Sequence, residues 1–136
     1  MGFLAVIVAA VGTFAFGALW YGLLSSPWKA DSGVPLGADG NPVNAKSPTP
    51  YLISFIAMIL VAGFLRLILE NVTVESLGNA LQWGMGAGLF LITPWIALTN
   101  GYSVRPFRLT LIDGGYATLG CGIAAAILWW MAPGVG

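Results

Sequence analysis

The chain has 136 residues with five basic and five acidic side chains, no histidine and one cysteine. With 58% hydrophobic and only 7% charged residues, it has too few charges to clothe a water-soluble surface, where about a quarter of residues are charged. The bilayer is the expected solvent. Net charge is zero and no basic run exists, so nothing supports nucleic-acid binding, which needs clustered Lys and Arg against phosphate. The lack of histidine removes the commonest metal ligand and general base. The single Cys121 permits no intrachain disulfide and no CxxC pair, and reads as a small packing residue. The chain is expected to be neither an enzyme nor a carrier of a cofactor.

The first apolar segment, about residues 2–24, is long enough to cross a hydrocarbon core of roughly 30 Å. It lacks a basic n-region and is too long for a signal-peptide core, so it reads as an uncleaved span. Ala5, Ala9, Thr13 and Gly17 recur at every fourth position, a small-residue ridge where another helix can approach. Trp20 and Tyr21 fall near its end, as in an interfacial aromatic belt.

About residues 25–49 read as one long polar, extramembrane loop, rich in proline and charge-balanced by Lys29, Asp31, Asp39 and Lys46. Within it, two short extended arms flank Asp39-Gly40. They fit either a short β-hairpin or an irregular cap over the helix ends.

The second helix is predicted over about residues 50–69, started by Thr49-Pro50, with Arg66 near its far end. The short turn after it makes the second and third helices antiparallel neighbours. The third helix is predicted over about residues 75–98. Glu75, Asn79 and Gln82 share one face, with Gln82 expected to face protein. Gly84-x-x-x-Gly88 is a close-packing motif, and Pro94 predicts a kink by freeing the carbonyl of Phe90. Trp83 and Trp95 are expected to pack a neighbour or face lipid.

After a loop holding Asn100, Tyr102 and Arg105, the fourth helix is predicted over about residues 107–131. Trp129-Trp130 closes it at belt position, and a short tail follows. The fold class is therefore an all-α, four-transmembrane-helix antiparallel bundle in one domain. Lys29, Lys46, Arg105 and Arg108 fall on the loop side and Arg66 on the side of the termini. Positive-inside counting places the loops in the cytoplasm and both termini outside.

Gly17-Ala18-Leu19-Trp20-Tyr21-Gly22, followed by Pro27-Trp28-Lys29, resembles the opening signature of a bacterial integral-membrane family, "domain of unknown function" 1761. Arg108-Leu-Thr-Leu-Ile-Asp113-Gly-Gly-Tyr116 is similar to that family's second recurring segment. The order of elements agrees over nearly the whole chain, and the long Pro/Gly loop departs from the family's shorter, more charged one. The resemblance implies a small bacterial four-span protein of the inner membrane. It implies no activity.

Asp113 is the acidic group set deepest in any predicted span, six residues or roughly 9 Å from Phe107 by helix rise. Carboxylates at such depth usually face protein or water. Asp113 is expected to accept from the Tyr21 hydroxyl, with Arg105 or Arg108 as charge partner and Asn100 close by. Gly17, Gly22, Gly114 and Gly115 are expected to let the first and fourth helices approach. Two readings of function follow. The first is a structural or accessory membrane protein, packing through Gly-rich faces against itself or a larger membrane complex. The alternative is an oligomeric small-solute transporter or channel using Asp113.

Overall fold

The computed structural model describes residues 2–131, and among them every regular element is helical. α1 spans Gly2–Leu23, α2 Ser25–Ser32 and α3 Thr49–Asn71. α4 covers Leu77–Ala87, a π-turn Gly88–Ile92, α5 Thr93–Tyr102 and α6 Phe107–Met131. α4, the π-turn and α5 form one continuous span, Leu77–Tyr102. With α1, α3 and α6 it makes four helices long and apolar enough to cross a membrane. The chain is thus an integral membrane protein by length and composition. The tail, residues 132–136, lies outside the described residues.

α6 is the central helix. In its most apolar window 44% of residues are buried, against 11–28% in the other three spans. Its glycines and alanines explain this, since Gly114, Gly120, Gly122, Ala124 and Ala125 are all buried and give neighbours close access. α1 lays its predicted ridge inward: Ala5, Ala9, Thr13 and Gly17 are all buried. Gly84 and Gly88 face α6, where a Cβ on Gly84 would come 2.5 Å from the Cys121 carbonyl and one on Gly88 2.6 Å from Thr118 Cα. The outer faces are apolar and exposed, as lipid-facing surface requires: Phe64, Phe90, Trp95 and Trp130 among others.

Three boundaries differ from the sequence reading. The polar loop opens as a helix, α2, not as loop. Leu24 N–H still reaches the Trp20 carbonyl and Trp28 N–H the Leu24 carbonyl, both at 3.0 Å. Pro27 lacks an N–H and its ring crowds the carbonyl four residues back, Leu23, so the axis breaks at Leu24. Gly33, at φ 72°, then ends α2 in the left-handed conformation. The hairpin reduces to one antiparallel bridge, Leu36 with Pro42, because proline in both arms removes ladder donors.

The third span continues to Tyr102, so Asn100 and Tyr102 are helical rather than in a loop. Its end is a Schellman motif: Arg105 N–H bonds the Asn100 carbonyl at 2.9 Å and Val104 N–H the Gly101 carbonyl at 3.2 Å. Val104 occupies the left-handed position at φ 58°. Ahead of Pro94 the helix widens into the π-turn. Thr93 N–H bonds the Gly88 carbonyl, and the Thr93 hydroxyl donates to that same oxygen at 2.8 Å.

At the start of α4, Ser76 caps the helix by accepting from Asn79 N–H at 3.2 Å, and Asn79 Oδ1 accepts from Glu75 N–H at 3.2 Å. Gln82 is exposed rather than turned toward protein. The backbones of the expected neighbours α3 and the third span come close only at α4. No Cα of α3 lies within 8 Å of one in the π-turn or in α5. A cleft therefore opens between them toward the loop side.

Candidate functional site

α1 and α6 run antiparallel and are fastened by hydrogen bonds along their seam. Thr13 Oγ1 donates to the Gly120 carbonyl at 3.3 Å, and the Tyr116 hydroxyl donates to the Thr13 carbonyl at 3.0 Å. Trp20 Nε1 donates to the Ile112 carbonyl at 2.9 Å, and the Tyr21 hydroxyl donates to Asp113 Oδ1 at 2.7 Å. Tyr21 is the next member of the every-fourth-residue ridge that includes Thr13 and Gly17, so one helix face delivers both polar groups to α6. Gly17 leaves room for Tyr116, whose hydroxyl oxygen would lie 2.7 Å from a Cβ there, and Gly115 leaves room for Trp20 in the same way. Trp20 is thus spent on the helix seam and not on the membrane interface alone.

Asp113 lines a cavity of about 320 Å³ with Tyr21, Met58, Ile92, Tyr116 and Cys121. The unpacked cleft between α3 and the third span creates it, and α6 forms its floor. Val61, Ile92 and Cys121 also border a second hollow of about 270 Å³, lined with Phe64, Leu65 and Leu91. On the other side, Tyr21 is shared with a hollow of about 470 Å³ beneath the loop, where Trp28, Lys29, Asn41, Asn44 and Tyr51 stand. Tyr21 therefore stands between an apolar chamber holding one carboxylate and a vestibule whose lining includes Lys29, Asn41 and Asn44. The Tyr21 and Tyr116 rings meet edge to face at 5.4 Å, and Tyr21 meets Trp28 likewise at 6.1 Å.

The arginines do not join Asp113. Arg108 Nε donates to Asp31 Oδ2 at 2.6 Å and Arg108 Nη2 to Asp31 Oδ1 at 2.8 Å. Arg105 Nη1 donates to the Ser32 carbonyl. Helix geometry explains the correction. Arg108 stands five residues before Asp113, about 140° around α6 and about 7.5 Å nearer its start, with its Cβ tilted outward toward the loop. The hydrogen bonds and charge of Arg108 hold the Asp31 carboxyl below the usual carboxylate range.

Asn100 is also elsewhere, donating to Thr110 Oγ1 at 3.2 Å. Of the glycines expected between the first and fourth helices, Gly17 and Gly115 are there. Gly114 instead faces Thr93 of the third span, and a Cβ on Gly22 would meet nothing within 4 Å. Among the described residues, Asp113 Oδ2 has no hydrogen-bond partner and neither salt bridge includes Asp113.

The sequence reading missed Tyr116 and Met58. Tyr116 was within reach, because it lies three residues after Asp113 on one face of α6. The walls that α3 and the third span give the chamber were not, since they depend on how far α3 and α5 diverge.

What the site can do chemically is limited and specific. One carboxylate, half-satisfied by a phenol, sits at the polar end of an apolar space. Among the described residues no three acidic, Cys or His side chains gather as a metal site.

No curated protein and no solved structure matches the chain. A family model described as "Protein of unknown function (DUF1761)" matches residues 4–129, nearly its whole length, and the chain belongs to that family.

Proposed function

We propose that this chain is a small-solute-binding protein of the bacterial inner membrane, with the Asp113 chamber as its site. In an oligomer the same chamber would serve a carrier or channel. One observation carries the reading: a carboxylate with a single hydrogen-bond partner lines an apolar chamber that opens through a cleft between two spans. Intramembrane acids facing a bundle interior or cavity mark substrate and ion pathways. Ligand sites are typically apolar hollows with a few placed polar groups. The positive-inside bias of Lys29, Lys46, Arg105 and Arg108 over Arg66 supports a cytoplasmic side for the Tyr21 vestibule.

The test is extraction of the purified protein with organic solvent and mass spectrometry of what is released. A small molecule in near-stoichiometric amount from the wild type, absent from a folded Asp113→Asn variant, is the expected result. Identical extracts from the two would overturn the reading.

A second reading, an accessory subunit packed against a membrane partner or a second copy, is favoured by exposed Gln82 beside Trp83 and Gly86 on the outer face of α4. The close-packing motif of Gly84 and Gly88 is occupied within the bundle, which weighs against it. Native mass spectrometry from mild detergent decides it: a stoichiometric second chain supports the accessory role, and a bare monomer removes it.

A further inference from the structure

We infer that the Asp113 chamber takes a lipophilic amine, an ammonium head on a single apolar chain. The inference rests on the binding reading above and names the class of ligand.

Charge is the first argument. The arginines are engaged elsewhere: Arg66 with Glu70, Arg105 with the Ser32 carbonyl and Arg108 with Asp31. Lys29 donates to the Gly40 carbonyl, and Lys46 is exposed in the loop. Asp113 is left with a phenol on Oδ1 and, among the described residues, nothing on Oδ2. A carboxylate in a low-dielectric span is costly without a cation. A charge-assisted N–H donor on the ligand supplies both the missing charge and the missing hydrogen bond.

The walls are the second argument. The Tyr21 and Tyr116 rings stand together at the polar end, 5.4 Å between centroids, and aromatic rings attract ammonium groups. Met58, Val61 and Ile92 complete an apolar surround. An anion would meet the carboxylate and be repelled. A neutral alcohol would gain the hydrogen bond without the charge.

The route is the third. Val61, Ile92 and Cys121 stand between the chamber and the adjoining hollow lined by Phe64, Leu65 and Leu91, so a small side-chain shift joins the two. That path runs along the cleft where α3 leaves the third span. A single apolar chain fits such a channel, and a ligand dissolved in the bilayer reaches it laterally.

Binding of radiolabelled N,N-dimethyloctylamine and decan-1-ol to the protein in phosphatidylcholine nanodiscs tests this, with empty nanodiscs subtracted and decanoate as a further competitor. The amine is expected to bind saturably, one per chain, and about tenfold or more tighter than the alcohol. Asp113→Glu should retain that preference. Asp113→Asn should lose it while holding the alcohol within about threefold of wild type. Equal affinity for amine and alcohol on the wild type, or displacement by decanoate as effective as by the amine, overturns the amine assignment and leaves the chamber as a site. Saturable binding of neither probe overturns both. The comparison of probes on the wild type stands even if Asp113→Asn does not fold.

Discussion

Arg108, at the mouth of α6, grips Asp31 of α2 through two parallel hydrogen bonds of 2.6 and 2.8 Å. The pair ties the helical start of the loop over the end of the bundle that holds the Tyr21 vestibule. Because Arg108 lowers the Asp31 pKa, folding is favoured wherever Asp31 is ionised. That contribution is complete above the ordinary aspartate value of about 3.9 and fades as pH falls through the lowered value. Asp31→Asn should therefore melt below wild type at pH 7, with the gap unchanged down to about pH 5. In more acidic solution the gap should close. Thermal unfolding in detergent across this range checks the sign, and a gap that widens on acidification would contradict it.

Val104 carries a different cost. A β-branched side chain in the left-handed conformation is crowded, by roughly 1–2 kcal/mol relative to glycine. Glycine's extra freedom in the unfolded chain offsets part of that relief. Since Val104 is 89% exposed, little packing is lost, and Val104→Gly should raise stability by about 0.5–1 kcal/mol. Unfolding by a mixed-micelle denaturant measures it.

The glycines of the third span separate into two kinds. Gly88 lies against the α6 backbone, and a Cβ there would meet Thr118 Cα at 2.6 Å. Gly88→Ala should cost about 1–3 kcal/mol by overpacking. Gly86 has nothing within 4 Å of a Cβ, and Gly86→Ala should be neutral or stabilising by up to about 1 kcal/mol through helix propensity. Gly88→Ala should lower the melting temperature, and Gly86→Ala should leave it unchanged or raise it.

Tyr21→Phe removes the one donor to Asp113 and should cost about 1 kcal/mol, the usual worth of a hydrogen bond between membrane helices. Asp113→Asn keeps an oxygen acceptor for the Tyr21 hydroxyl and should cost less. The order of the two variants in a denaturant series separates a seam held by the phenol from one held by charge.

The spans were legible because length and apolarity alone mark them, and the α1 ridge because small residues at every fourth position have one packing use. The Tyr21–Asp113 pair followed from depth, since both residues lie a similar distance from the loop-side ends of antiparallel helices. What pattern could not give was direction around a helix axis. Depth alone sets Arg108 beside Asp113, whereas its turn around α6 sends it to Asp31. Small size alone suits Gly114 to α1, whereas it faces Thr93. α2 was hidden because Ser25-Ser26-Pro27 reads as a loop, while proline near a helix start is no obstacle. The cleft was invisible for another reason. Short turns impose sequence neighbours, and here α3 and α5 are both drawn to α6 instead of to each other.

Cys121 gives the most direct measurement of the central claim, that the Asp113 chamber binds a small molecule. It is the only cysteine in the chain, 4% exposed, and lines both the chamber and the adjoining hollow. Its rate of alkylation by membrane-permeant N-ethylmaleimide in nanodiscs reports whether that space is filled. Saturating N,N-dimethyloctylamine should slow alkylation severalfold in the wild type and leave it unchanged in Asp113→Asn. An alkylation rate in the wild type that is the same with and without the amine would contradict the account.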